Sequence, residues 1–232
     1  MMRPARRCVL ALLCLACGFA PAHAQRSLLG PGAAFVAAGG TRVETSELDD
    51  WLAARSYPTF GRAAVALGLG GYRTLSNGVM LGVEAQGLII GSESHEDGVI
   101  GLGGGYATLG VGYAFEVSPR VRFYPRLGVG PGGMALWVEE DERPDFDDAL
   151  AGGPPGADRS PNLSRDGVVV DLGAGAELLF ARSGGVLVGL RAGYLMGPLT
   201  DRWETYESEV SGGPHASIAG PYVRILAGWG WR

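Results

Sequence analysis

The stretch from Tyr106 to Val117, YATLGVGYAFEV, separates into two faces when every second residue is taken. Ala107, Leu109, Val111, Tyr113, Phe115 and Val117 form a wholly apolar set, whereas Tyr106, Thr108, Gly110, Gly112, Ala114 and Glu116 form a small or polar one. Successive side chains of a β-strand point to opposite faces, so this period of two predicts a strand with two chemically distinct sides.

The same period recurs along the chain. Val121, Phe123, Pro125, Leu127, Val129 and Pro131 oppose Arg122, Tyr124, Arg126, Gly128 and Gly130, and Val168 to Phe180, Val186 to Met196 and Val223 to Trp231 divide in the same way. Phe60 to Tyr72, Val79 to Ile90 and Leu29 to Gly39 alternate more bluntly and bring the set to eight. Glycine, at 40 of 232 residues, stands well above its usual share of roughly 7 %. The glycines recur at every second position inside these segments, so they belong to the strands and not to a low-complexity tract.

A soluble sandwich also alternates, and the composition of the second face decides between solvents. In water that face would carry long charged side chains; here it is mostly Gly and Ala, which fits the inside of a narrow barrel. Its charged members are Arg62, Arg122, Arg126, Arg191 and Arg224 against Glu84, Glu116, Asp171 and Glu177. So nearly balanced a set is expected to pair as a network across the lumen, which is how buried charge becomes tolerable. The apolar face then meets lipid.

The connections alternate as well. Ser76-Asn77-Gly78, Ser118-Pro119 and Ser183-Gly184-Gly185 have the composition of tight turns, and longer links run from Gly40 to Thr59, Ser92 to Gly98, Glu139 to Gly167 and Leu199 to Ser217. Short turns on one side, long loops on the other and an even strand number are the plan of bacterial outer-membrane barrels, with both termini in the periplasm. Phe115, Phe123, Phe180, Trp229 and Trp231 fall toward the short turns or the terminus, and Trp137 and Tyr194 toward the long loops, as two interfacial aromatic girdles. The sequence therefore predicts an all-β fold over residues 25–232: an eight-stranded antiparallel up-and-down transmembrane β-barrel.

In this pattern the chain resembles the small outer-membrane barrels typified by the membrane domain of OmpA and by OmpX. The closing strand, Val223 to Arg232, is similar to the C-terminal strand that the barrel-assembly machinery reads, although it ends on Arg232 with Trp231 before it. The resemblance implies a bacterial outer-membrane location, with membrane lipid, lipopolysaccharide and the assembly machinery as partners.

Residues 1–24 read as a cleaved secretory signal: Arg3, Arg6 and Arg7 precede an apolar run from Val9 to Ala20, and Ala22-His23-Ala24 is a small-x-small cleavage site. All three cysteines, Cys8, Cys14 and Cys17, lie in it, so the processed chain is expected to hold no disulfide; lipidation at Cys17 is the alternative processing. Losing three arginines and no acid takes the formal charge from -5 to about -8, which disfavours nucleic acid as a partner.

Little of the sequence carries chemistry. Thr45 to Ala54 reads as a short helix with Ser46 as N-cap and an apolar stripe of Leu48, Trp51 and Leu52. The acidic run Glu139 to Asp148 suits Ca²⁺ in composition but lacks the spacing of an EF-hand, and His95 has no second imidazole with which to build a metal site, so neither a metal nor a cofactor is expected. His215-Ala216-Ser217 resembles the general base and nucleophile of the lipid A deacylases, but Ile218 stands where that family has Asn and no acid follows Ser217. Three functions stay open at this point: a non-enzymatic membrane-anchored scaffold whose loops serve recognition or envelope integrity, a narrow ion or solute channel, and a lipid A acyl hydrolase using His215 and Ser217. The first is favoured, because an eight-stranded barrel has an interior that side chains just fill.

Overall fold

The computed structural model describes residues 30–95, 98–140, 163–180, 184–197, 203–204, 209–210 and 213–231. The expected signal segment and most of the acidic run, from Asp141 onward, lie outside the described residues.

Eight long strands form one antiparallel sheet: β1 (Gly32–Arg42), β2 (Ala63–Thr74), β3 (Val79–His95), β4 (Gly98–Tyr113), β5 (Val121–Glu140), β6 (Leu163–Leu179), β7 (Gly184–Met196) and β8 (Gly220–Trp231). Each pairs with its neighbours in sequence, and β1 pairs with β8 from Gly32 opposite Trp231 to Thr41 opposite Tyr222, so the sheet closes. Closure leaves no free edge, which is what lets strands lie in hydrocarbon with every backbone group paired. No described helix is long and apolar enough to cross a membrane.

The outward positions carry the apolar set read from the sequence. Leu109, Val129, Leu172, Leu190 and Ile225 are exposed, and between them the inward positions are buried. One end of the wall holds the short turns. The link from β2 to β3 is a tight turn in which the Gly78 amide donates to the Leu75 carbonyl at 3.0 Å, with Gly78 at φ 87, a conformation glycine adopts without a Cβ clash. Ser118 closes the next turn by accepting from the Val121 amide at 3.1 Å.

The other end departs from the sequence reading. Ser92 to Gly98, expected as a loop, is strand up to His95 and again from Gly98, with Glu93 opposite Ile100; a bulge between Ile89 and Gly91 carries β3 onward. Glu139 and Glu140 likewise belong to β5. Beyond the bilayer both faces of a hairpin can be polar, so composition marks a loop where backbone pairing continues. Strands β3 to β6 are accordingly 16 to 20 residues long, and the other four 11 to 13. A tilted span needs only roughly 9 to 11 residues, so one side of the barrel projects beyond the membrane and the side made of β7, β8, β1 and β2 ends close to it.

The helix α1 (Ser46–Ala53) lies between β1 and β2. Thr45, not Ser46, holds the N-cap position; its hydroxyl donates to the Gly61 carbonyl at 2.7 Å, and the Ser46 hydroxyl bonds Glu44. Leu48 and Leu52 are buried, whereas Trp51 turns outward with the Arg55 guanidinium 3.8 Å from its ring centre, so the apolar stripe is narrower than the sequence suggested.

Candidate functional site

The barrel interior is built in three layers, visible in the inward order along single strands. On β3 it runs Met80, Glu84, Gln86, Leu88; on β6 Leu179, Glu177, Asp171, Val169; on β7 Leu187, Arg191, Leu195; on β8 Leu226, Arg224, Tyr222. Polar groups thus sit between an apolar cluster at the turn end, with Ala33, Phe35 and Leu187, and a larger one at the loop end. The loop-end cluster includes Leu48 and Leu52 of α1 together with Ile100, Leu136, Trp203 and Ile218, so the helix closes the mouth.

Glu84 is the hub of the middle layer. Arg126, Arg191 and Arg224 all converge on its carboxylate, the last at 3.1 Å, and the Gln86 amide donates to it at 2.8 Å. Asp171 stands 3.4 Å from Arg126 and accepts from the Tyr222 hydroxyl at 2.7 Å. Glu177 accepts from Tyr72 and from Tyr124, the latter at 2.6 Å, with Arg122 at 3.7 Å. The Arg191 guanidinium donates to Tyr124 at 3.0 Å, which joins the two halves of the network. Each of these charged residues thereby has a counter-charge or hydrogen-bond partner, the condition under which ions persist away from water, while Arg191 Nε and Arg224 Nε and Nη2 make no hydrogen bond among the described residues.

The structure brings together seven of the nine charged residues assigned to the lumen from sequence, Glu84, Arg122, Arg126, Asp171, Glu177, Arg191 and Arg224. Arg62 and Glu116 are corrections: both are exposed. Arg62 keeps the register, its carbonyl accepting from the Val43 amide, but it lies before β2 begins at Ala63, where it is exposed. Glu116 keeps the register, opposite Arg122, but it lies past the end of β4 at the turn end, where it is exposed. The sequence reading put Tyr124 on the inward face but gave no part in the network to it, to Tyr72 or Tyr222, or to the buried Arg165. The signal for the tyrosines was parity: each occupies an inward position among small neighbours.

Those small neighbours make room for the rings. A Cβ at Gly175 would meet the Tyr124 ring at 2.4 Å, and one at Gly173 would meet the Tyr222 hydroxyl at 2.4 Å. A cavity beside Glu84, lined by Phe35, Tyr72, Met80, Tyr124, Arg126 and Arg191 among others, measures about 30 Å³, a space on the scale of a water molecule.

On the outer wall Phe115, Phe123, Phe180, Trp229 and Trp231 lie toward the turn end, and Trp137 and Tyr194 toward the loop end. His215 is exposed with its amide bonded to Glu47, Ser217 is buried in a backbone bridge with Glu44, and no hydrogen bond joins the two among the described residues. No described cluster of His, Cys, Asp or Glu has the makings of a metal site.

The sequence matches the family model for the outer membrane protein beta-barrel domain over residues 10–210. The chain belongs to this family. As an outer-membrane barrel it is a protein of the bacterial outer membrane. Its structure is similar to that of Ail, the attachment invasion locus protein of Yersinia pestis, at 14 % identity and a TM-score of 0.45 over 88 % of this chain and 98 % of that one. It is also similar to Neisserial surface protein A, at 9 % identity and 0.47 over 87 % and 96 %, and to the N-terminal barrel domain of Pseudomonas aeruginosa OprF, at 12 % and 0.40 over 87 % and 97 %. A search of curated proteins gave no match.

Proposed function

We propose that this outer-membrane barrel is a sealed, non-enzymatic scaffold that presents its loop end outside the cell for recognition or envelope integrity. The observation that carries the reading is the filled lumen: an ionic layer knotted around Glu84, with apolar clusters on either side of it. A conducting path through that layer would require several buried ion pairs to separate together, and breaking one buried pair already costs about 3–5 kcal/mol. Rigid walls with variable connections above them suit recognition, because loops held by a stable frame are where binding residues collect. The expected partners are membrane lipid, lipopolysaccharide and, during insertion, the barrel-assembly machinery.

The test is single-channel recording in a planar bilayer. The barrel should give current indistinguishable from a blank preparation, and reproducible steps that scale with protein added would replace the scaffold by a narrow channel.

A further inference from the structure

The outer wall is uneven. Many outward positions carry branched or aromatic side chains such as Ile89, Leu109 and Ile225, with single small residues such as Ala38 and Ala227 among them. Where the loop ends of β8, β1 and β2 meet, they carry Pro221, Gly40 and Ala63 instead. A carbon added at Gly40 would find nothing nearer than the Ala64 carbonyl oxygen at 3.9 Å. These small residues and Val223 line a groove of about 590 Å³, and Arg42 and Arg62 line it too.

Both arginines are exposed, and the Val43 amide donates to the Arg62 carbonyl at 2.9 Å, tying their two segments together. The acid beside them is Glu44, which takes the Ser46 hydroxyl and stays ionised at neutral pH; that hydrogen bond is the main reason its carboxyl lies below the usual value, with Arg62 and Arg42 adding to it. Other acids of this connection are engaged elsewhere: Glu47 with the His215 amide at 2.9 Å, Asp49 with the Phe60 amide at 2.9 Å. Two guanidinium groups therefore face one carboxylate at the top of an apolar groove. Its height is marked by Tyr194, which pairs with Pro221 and belongs to the belt that sits at headgroup level. The strands here are the short ones, so the groove stays at the edge of the bilayer.

The geometry points to a binding site for the phosphorylated sugar headgroup of an outer-leaflet glycolipid, with Arg42 and Arg62 clasping a phosphate and an acyl chain lying against Gly40, Ala63 and Val223. Guanidinium forks match phosphate oxygens in pairs of N–H bonds, which selects phosphate over a neutral sugar. This rests on the loop end facing outward, as argued above.

The experiment is native mass spectrometry of the folded barrel released from micelles doped with lipid A in its diphosphoryl or its dephosphorylated form. Wild type should retain the diphosphoryl lipid roughly tenfold better than the Arg42→Gln/Arg62→Gln variant, and Arg120→Gln at the turn end should behave as wild type. Arg62→Gln alone, outside the strands, should show part of the loss and guards against misfolding of the double variant. Equal retention by wild type and the arginine variants, equal retention of both lipid forms, or the same loss in Arg120→Gln overturns the proposal. Retention by purified barrel does not depend on its orientation in cells, so a wrong orientation would show separately, in surface labelling.

Discussion

Glu84 accepts three arginines away from bulk solvent, so its charge is what the middle layer is organised around. Glu84→Gln keeps the shape and removes the charge, leaving Arg126, Arg191 and Arg224 buried without their common partner. The expected cost is about 3–5 kcal/mol, read as a drop in the urea midpoint of the barrel refolded in detergent. Glycine offers a paired test. Gly175→Ala drives a methyl into the Tyr124 ring and should cost about 1–3 kcal/mol, whereas Gly87→Ala, with its nearest neighbour at 3.8 Å, should change stability by less than about 0.5 kcal/mol. Equal effects at the two glycines would contradict the packing described. At this scale the sequence was informative wherever parity held. It placed Glu84, Asp171 and Arg191 on the inward face, but Arg62 and Glu116 lie at strand ends past the packed interior, where a residue can keep its register and still be exposed. Which carboxylate takes which arginine was not legible, since Glu84 and Arg224 lie 140 residues apart and meet only when the barrel closes.

Among the elements, α1 shows what packing adds to pattern. Leu48 and Leu52 are buried against the inner wall while Trp51 is not. Leu52→Ala should loosen the mouth by about 2–5 kcal/mol of local stability, seen as faster amide exchange across residues 43–62 with the protection of β1 and β2 unchanged. Trp51→Ala should leave exchange there nearly as it was. The helix was legible as a helix from TSELDDWLAA, yet the assignment of Trp51 to its stripe failed because the apolar partners come from remote segments, Trp203 and Ile218 among them. The lengths of β3 to β6 were illegible for a different reason. Past the bilayer neither face has to be apolar, so the period of two fades while the hydrogen-bonded ladder continues.

For the whole molecule, closure follows from the same alternation seen in residues 106–117 repeated around the ring, and the family match agrees with it. Orientation can be tested by placing one cysteine at the loop end: Ser56→Cys on intact cells should react with a membrane-impermeant maleimide, and a cysteine that reacts only after lysis would turn the barrel over. The most direct test of the central claim is cell fractionation followed by gel electrophoresis of unboiled and boiled envelope samples. A closed membrane barrel predicts a band that needs detergent for extraction and migrates differently before and after boiling, because the paired sheet resists the detergent until heated. A soluble band with no shift on heating would contradict it.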